Sequence, residues 1–455
     1  MRRPPLQTLI ALVLTALWGL GLGITHLHGD IPFVDGAEAT LTNLRDTIGG
    51  RRQPPDLVTI VAIDDDTSRV AEHYPLPRAT LAKIIDAISA LGPKALALDV
   101  LLVDPGDEAG DAALEQSLRR TNAVLAAAGI FPESHQRVTD TSKEPLARVP
   151  SALQFIEPQQ RFAAAASYGV VNVQTDKTGT PRFVPMLFRS GDRIEPSFSL
   201  RVASAATGEQ AAVISDQIKI GSHSVHTDTG YLMPLSFYGP RGTIRTISAS
   251  AALSGHLPED AIRDHIVVIG ATVTGGGDVF PTPFDPVLPG VEVVSTSITH
   301  LIAKDGLIRD LGVRYLDLYF AVGMPLVIVG LLAWRRNTIG LVMVFCVVAA
   351  WLAINISAFK HGICSVPPCR SPRRCLPRSS SVRRSFGLDA GRRAVSPSRA
   401  SVCSASRHRD LPSIWPAIRV SLPSLCIRKQ PLSLSTSTVS PVSAKRSALL
   451  PCGNC

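Results

Sequence analysis

The sequence predicts an α/β body, a mixed sheet with βαβ units and an inserted β-rich segment, joined to transmembrane helices. Three features carry that expectation. Apolar runs of strand length at 57–63, 95–102 and 265–271 accompany stretches of helical periodicity, as in a parallel sheet covered on both faces. Alternating, turn-rich sequence fills the middle of the chain. Nearly uncharged apolar runs of span length lie at 6–24, 316–334 and 338–359.

The first run, "LQTLIALVLTALWGLGLGI", follows Met1-Arg2-Arg3. It exceeds a usual signal core, and "THLHGDIPF" supplies no small-x-small cleavage site, so residues 1–25 read as an uncleaved anchor. Arg2 and Arg3 hold the N-terminus on the cytoplasmic side. "LVTIVAI" then reads as a buried strand, bounded by Pro54-Pro55 and the acidic cluster Asp64-Asp65-Asp66. In "PRATLAKIIDAISALGPK", Leu81, Ile84, Ile85, Ile88 and Leu91 share one helical face, and Gly92-Pro93 ends the helix. "ALALDVLL" is the next strand, completing a right-handed βαβ unit with a parallel pair.

"YGVVNVQTDKTGTPRFVPMLF" reads as a hairpin around Asp176-Lys177-Thr178-Gly179, and "QIKIGSHSVHTDTGYLMPLSFYG" adds short strands. "HIVVIGA" returns to the buried-strand pattern. The loop "TVTGGGDVFPTPFDPVLPG" follows it, and then a helix carrying Val291, Val294, Ile298 and Leu301. Residues 26–314 therefore form one large domain. The run at 316–334 ends in Arg335-Arg336-Asn337 and the next begins at once, a basic link that reads as a cytoplasmic turn between two membrane helices, 315–359. Both ends agree on an exterior location for 26–314: an inner-membrane, multi-pass protein with its large domain in the periplasm.

The net charge of +9 misleads unless it is located. Residues 360–455 hold 17 Lys and Arg against Asp389 and Asp410, so the rest of the chain carries −6 (29 basic against 35 acidic residues). Seven of the eight cysteines lie there too, from Cys364 to Cys455, with no zinc spacing. The Ser/Arg/Pro/Cys-rich tail is expected to be disordered, or to be GC-rich coding sequence read in the wrong frame after a shift near 361–364. Three spans put this end outside, where an output domain could not reach cytoplasmic nucleotides, so a fourth span is expected in the other frame. An exterior location argues against nucleic acid as a partner of its arginines.

Three readings of the acidic edge stay open. Asp64-Asp65-Asp66-Thr67-Ser68 nearly fits the D-x-D-x-T/V pattern of haloacid-dehalogenase-type phosphotransferases, which makes an exported metal-dependent hydrolase using Asp64 and Asp66 the alternative function. The plain reading is that Asp64 or Asp66 caps the following helix. The third is ligand binding beyond the carboxyl ends of the strands. There Asp64, Asp66, Asp99 and Asp278, beside Gly275-Gly276-Gly277, would favour a cation or an amine-bearing ligand. Arg78 could join them or neutralise one of them. His256, His265 and His300 are scattered singles, and no Gly-x-Ser-x-Gly elbow occurs. No catalytic residue, metal site or cofactor is expected in this chain. The expected partners are a small exterior ligand, the membrane and a second copy of the chain.

Three separated blocks, in order, resemble CHASE domains of the second type: "VAIDDDTSRVAEHYPLPRATLAKIIDAISALGPKALALDVLLVDP", "SYGVVNVQTDKTGTPRFVPM" and "VVIGATVTGGGDVFPTPFDPVLPGVEV". The resemblance covers roughly residues 30–310, with the flanking spans. It implies an extracellular sensor of the kind associated with bacterial nucleotide cyclases and histidine kinases. A class III cyclase uses paired aspartates to hold two metals. With two isolated acids in the tail, this chain is expected to be inactive as a cyclase.

Overall fold

Every residue of β1 (Val58–Ile63) is buried, which an apolar strand achieves when both faces of its sheet are covered. The structure, a computed structural model, describes residues 6–28, 42–132, 146–214, 217–334 and 338–360. The expectations for Arg2, Arg3, the 335–337 link and the tail lie outside those residues.

β1 belongs to a seven-stranded sheet. Its spatial order is β14 (Thr246–Ser248), β1, β15 (Ile266–Ala271), β2 (Ala95–Leu101), β3 (Ala123–Ile130) and β4 (Gln154–Ile156), and β5 (Ser167–Val170) also pairs with β3. All pairings are parallel except β3 with β4. The sequence puts β1 beside β2. In the structure β15 lies between them, with Val58 opposite Ile266 on one side and Gly270 opposite Asp99 on the other. A strand returning from about 170 residues beyond β2 thus takes the centre.

Alternation along the strands feeds two cores. Val61, Ile63, Leu96 and Leu98 meet α4 (Arg78–Ser89) and α5 (Glu108–Arg119) through Ile84, Ile85, Ile88, Leu114 and Leu118. Val58, Ile60, Ala97 and Val268 meet α7 (Phe198–Thr207) and α10 (Gly290–Ala303) through Val202, Val294 and Ile298. Each fully buried aliphatic side chain contributes about 1.5–3 kcal/mol. Short helices α3 (Asp65–Ala71), α6 (Gln160–Ala163), α8 (Ser250–Leu253) and α9 (Glu259–Ile262) fill the connections.

The inserted segment builds a third core around Val184, Met186, Leu200, Ile218, Met233 and Phe237. Its small sheets join β6 (Gln174–Thr175) and β7 (Pro181–Pro185) with β13 (Leu232–Pro234), β8 (Leu187–Ser190) with β9 (Arg193–Pro196), and β10 (Ala211–Ile214) with β11 (Gln217–Ile220) and β12 (His223–His226). The pair β16 (Val279–Phe280) and β17 (Leu288–Pro289) closes the loop before α10. The hairpin expected over "YGVVNVQTDKTGTPRFVPMLF" is shorter than that stretch. Asp176 does make the turn, accepting from the Thr178 and Thr180 amides at 2.8 and 3.1 Å, but Ser167–Val170 leaves the hairpin and joins the main sheet as β5.

Helices α1 (Leu6–His28) and α11 (Leu311–Trp334) are long and apolar enough to cross a membrane by length and composition. In α12 (Thr338–Lys360) the apolar stretch is shorter, Thr338–Ile354. α1 packs along α11, and glycines bring the two backbones together. A Cβ at Gly19 would lie 2.5 Å from the Ala321 carbonyl oxygen, and one at Gly23 would collide with Leu318, the close approach that small residues four apart permit. Helix α2, residues 42–49, precedes β1.

A buried ionic clamp ties the inserted lobe to the start of α11. Asp228 accepts from Arg314 Nε at 2.5 Å and Nη2 at 2.8 Å, and Arg309 Nε stands 3.0 Å from its Oδ2. The Asp228 side chain is 2% exposed and the two arginines 6% and 8%.

Candidate functional site

The carboxyl ends of β1, β15 and β2 lie side by side, and a cavity of about 840 Å³ opens beyond them. That is where parallel α/β sheets carry ligands, and the volume falls within the roughly 300–1,000 Å³ of small-molecule sites. Ile63, Leu76, Leu81, Val100, Val171 and Val291 supply apolar wall. The Gly275–Gly277 loop and the first residues of α10, Gly290 and Val291, close it. Gly276 sits so near Tyr74 that a Cβ there would be 2.6 Å from the ring. The Tyr74 hydroxyl donates to the Gly276 carbonyl, so the loop is fastened to the segment before α4.

Of the sequence-predicted residues, Arg78, Asp99 and Asp278 line this cavity, while Asp64 and Asp66 are not among its lining residues. Asp64 caps α3. Its Oδ1 accepts from the Thr67 amide at 2.8 Å, the Thr67 hydroxyl at 2.7 Å and the Ser248 hydroxyl at 2.9 Å. The strand-to-helix turn places it there, and β14 brings Ser248 to the same oxygen. Asp66 lies on the surface, paired with Arg69 at 2.8 Å. The neighbour between them, Asp65, accepts from the Thr274 amide and hydroxyl at 3.0 and 2.8 Å, and those bonds hold its carboxyl below the usual range. The three consecutive carboxylates thus do three different things, and Asp64 and Asp66 do not share a reaction centre. The hydrolase alternative loses its geometric basis.

Arg78 does not pair with Asp64, Asp66, Asp99 or Asp278. Its Nε faces the buried Asp111 at 3.7 Å and its Nη2 donates to the Asp104 carbonyl at 3.2 Å. The two central acids behave differently. Asp99 is half-buried at the end of β2, and its carboxylate has no hydrogen-bond or ion-pair partner among the described residues. Burial, and then the charge of Asp278, push its pKa up to about 7. Asp278 is exposed on the rim, likewise without a side-chain partner among the described residues. Burial, and then the same Asp278 charge, also raise the Tyr74 hydroxyl. Among the described residues no three His, Cys, Asp or Glu side chains gather where they could hold a metal ion.

Sequence reasoning missed Tyr74, Asp104, Asp107 and Val291 as wall residues. The turn "VDPGD" directly after β2 was a usable signal for the two acids, since loops at carboxyl ends of parallel strands form the crevice. Nothing local marks Val291, which reaches the cavity because α10 starts at the end of a long loop. His300 is a buried core residue, with Nε2 at 2.9 Å from the Ser236 carbonyl and Nδ1 at 2.8 Å from Asp305.

A family model described as the CHASE2 domain matches residues 11–332, well over half of the chain. No curated protein and no solved structure matches it.

Proposed function

The chain belongs to the CHASE2 family, the extracellular sensory domains of signalling receptors, and from that premise we propose that it is the ligand-sensing part of a bacterial transmembrane receptor. The body stands in the periplasm and the cavity beyond β1, β15 and β2 is its ligand site. α1, α11 and α12 cross the inner membrane. Arg2, Arg3, Arg335 and Arg336 on the cytoplasmic side support that orientation.

One observation carries the proposal. α10 begins in the cavity wall at Gly290 and Val291 and ends at Ala303, and seven residues separate it from α11, which begins at Leu311. A change at the cavity is therefore one helix away from the membrane helix. The Asp228 clamp on Arg309 and Arg314 grips the connecting stretch. Two states of this junction, favoured differently by ligand, would pass the signal.

The resemblance implies a cyclase or kinase module as output, and the intact parent receptor carried a nucleotide cyclase that is missing from this chain. Residues 361–455 contain only Asp389 and Asp410 as acids, too few for the paired metal ligands such an enzyme uses. Expression of this chain should then add no cyclic nucleotide above background. The orientation is tested with a compartment-dependent reporter inserted at the exposed Leu153. Activity confined to the periplasm is expected, and activity confined to the cytosol would overturn the proposal.

A further inference from the structure

We infer that the cavity takes an organic cation, a ligand with an ammonium group on an apolar body, held between Asp99 and Asp278. This rests on the cavity being the ligand site of the sensor.

Charge supplies the first argument. The wall carries Asp99, Asp104, Asp107 and Asp278 against a single cation, Arg78. Arg78 is turned to Asp111, whose side chain is 2% exposed, and Asp107 spends its carboxylate capping α5 at the Gly110 amide, 2.7 Å away. The carboxylates of Asp99, Asp104 and Asp278, the first half-buried and the other two exposed, therefore border the cavity with no positive partner among the described residues. Like charges bordering one space favour an occupant of opposite sign, and the low-dielectric walls strengthen that preference.

Shape and chemistry narrow the class. Among the described residues no three His, Cys, Asp or Glu side chains gather into the oxygen-rich shell that a calcium ion takes. Much of the rest of the wall is aliphatic, with Ile63, Leu76, Leu81, Val171 and Val291. An ammonium group can satisfy the carboxylates while a hydrocarbon body covers those side chains. The ring of Tyr74, held by its bond to Gly276, adds an aromatic surface on which a cation can rest.

The test uses the full chain in detergent micelles, titrated calorimetrically with hexylamine, 1-hexanol and hexanoate, which share a body and differ in charge. Hexylamine should bind and the other two should not. Asp99→Asn and Asp278→Asn should each weaken hexylamine binding by about ten- to a hundredfold, the size of one charge-assisted hydrogen bond. Equal titration by amine and alcohol, or amine binding that survives both substitutions, would overturn the inference. Hexanoate binding that disappears in the cavity-filling variant Val100→Trp would sink the charge assignment and leave the sensor proposal standing. If no probe binds the cavity, the ligand class assigned here is wrong. If the Leu153 reporter is also cytosolic, the sensor proposal falls with it. Asp278→Asn changes an exposed side chain, so loss of binding there is not loss of fold.

Discussion

Replacing Asp228 by Asn tests the junction between the body and α11 most directly. The substitution keeps the shape and the acceptor for the Thr229 amide at 2.7 Å. It removes the charge from between two guanidinium groups and turns one oxygen into an amide donor facing them. Breaking a buried ion pair from one side costs about 3–5 kcal/mol, because the remaining charge stays desolvated. Arg309 and Arg314 have further contacts, including the Phe183 ring 5.9 Å from the Arg309 guanidinium. The expected loss is therefore at the lower end, about 3 kcal/mol. At about 2–4 °C per kcal/mol for a body of this size, the unfolding midpoint should fall by about 6–12 °C. Thermal unfolding followed by circular dichroism on the detergent-solubilised chain reads this. Asp66→Asn is the control, since it breaks an ion pair whose side chains are 63% and 75% exposed, worth at most about 1 kcal/mol. If Asp228→Asn lowers the midpoint no more than the control does, the clamp is not the buried, mutually dependent pair argued for here.

Three further outcomes follow from the same contacts. Asp99 and Asp46 both have carboxyl pKa values raised from 3.8 to about 7. Burial and then Asp278 raise Asp99, while burial outweighs Arg182, Arg52 and Arg45 at Asp46. An acid raised in the fold stabilises most below its unfolded pKa, so stability should fall as pH climbs from about 4 through 7; melting curves of Asp99→Asn and Asp46→Asn should each be flatter over that window than those of the wild-type protein. Asp64→Ala should cost about 1 kcal/mol as a lost helix cap and leave hexylamine affinity unchanged, and a matching loss of affinity in the same calorimetric titration would return Asp64 to the site. Gly19→Ile should force α1 away from the Ala321 backbone and lower the unfolding midpoint of the detergent-solubilised chain; an unchanged midpoint would show that the glycine contact is not what pairs α1 with α11.

Much of the body was readable because apolar runs declare buried strands. Val58–Ile63 and Ile266–Ala271 are rich in β-branched residues, and Leu81, Ile84, Ile85 and Ile88 recur at helical spacing. β3 escaped notice because half of "AVLAAAGI" is alanine, which signals neither period. Its place in the sheet comes from pairing with β2 and β5, a tertiary effect. Strand neighbours were equally hidden, since β15 reaches its slot between β1 and β2 from about 170 residues beyond β2. At the site, the carboxyl-end rule pointed to Asp99, Asp278 and the Gly-rich loop. It could not separate Asp64 from them, because that role is decided by Ser248, 184 residues away. Arg78 was similarly ambiguous until Asp111 appeared behind it, brought there by the packing of α5 on α4.

At Gly19 and Gly23 α1 offers its neighbour bare main chain, and the Leu318 side chain fills the notch left at Gly23. The two helices are therefore keyed as well as close. A lengthwise shift of one against the other would have to lift that side chain out of its socket, so α1 and α11 should travel as one piece.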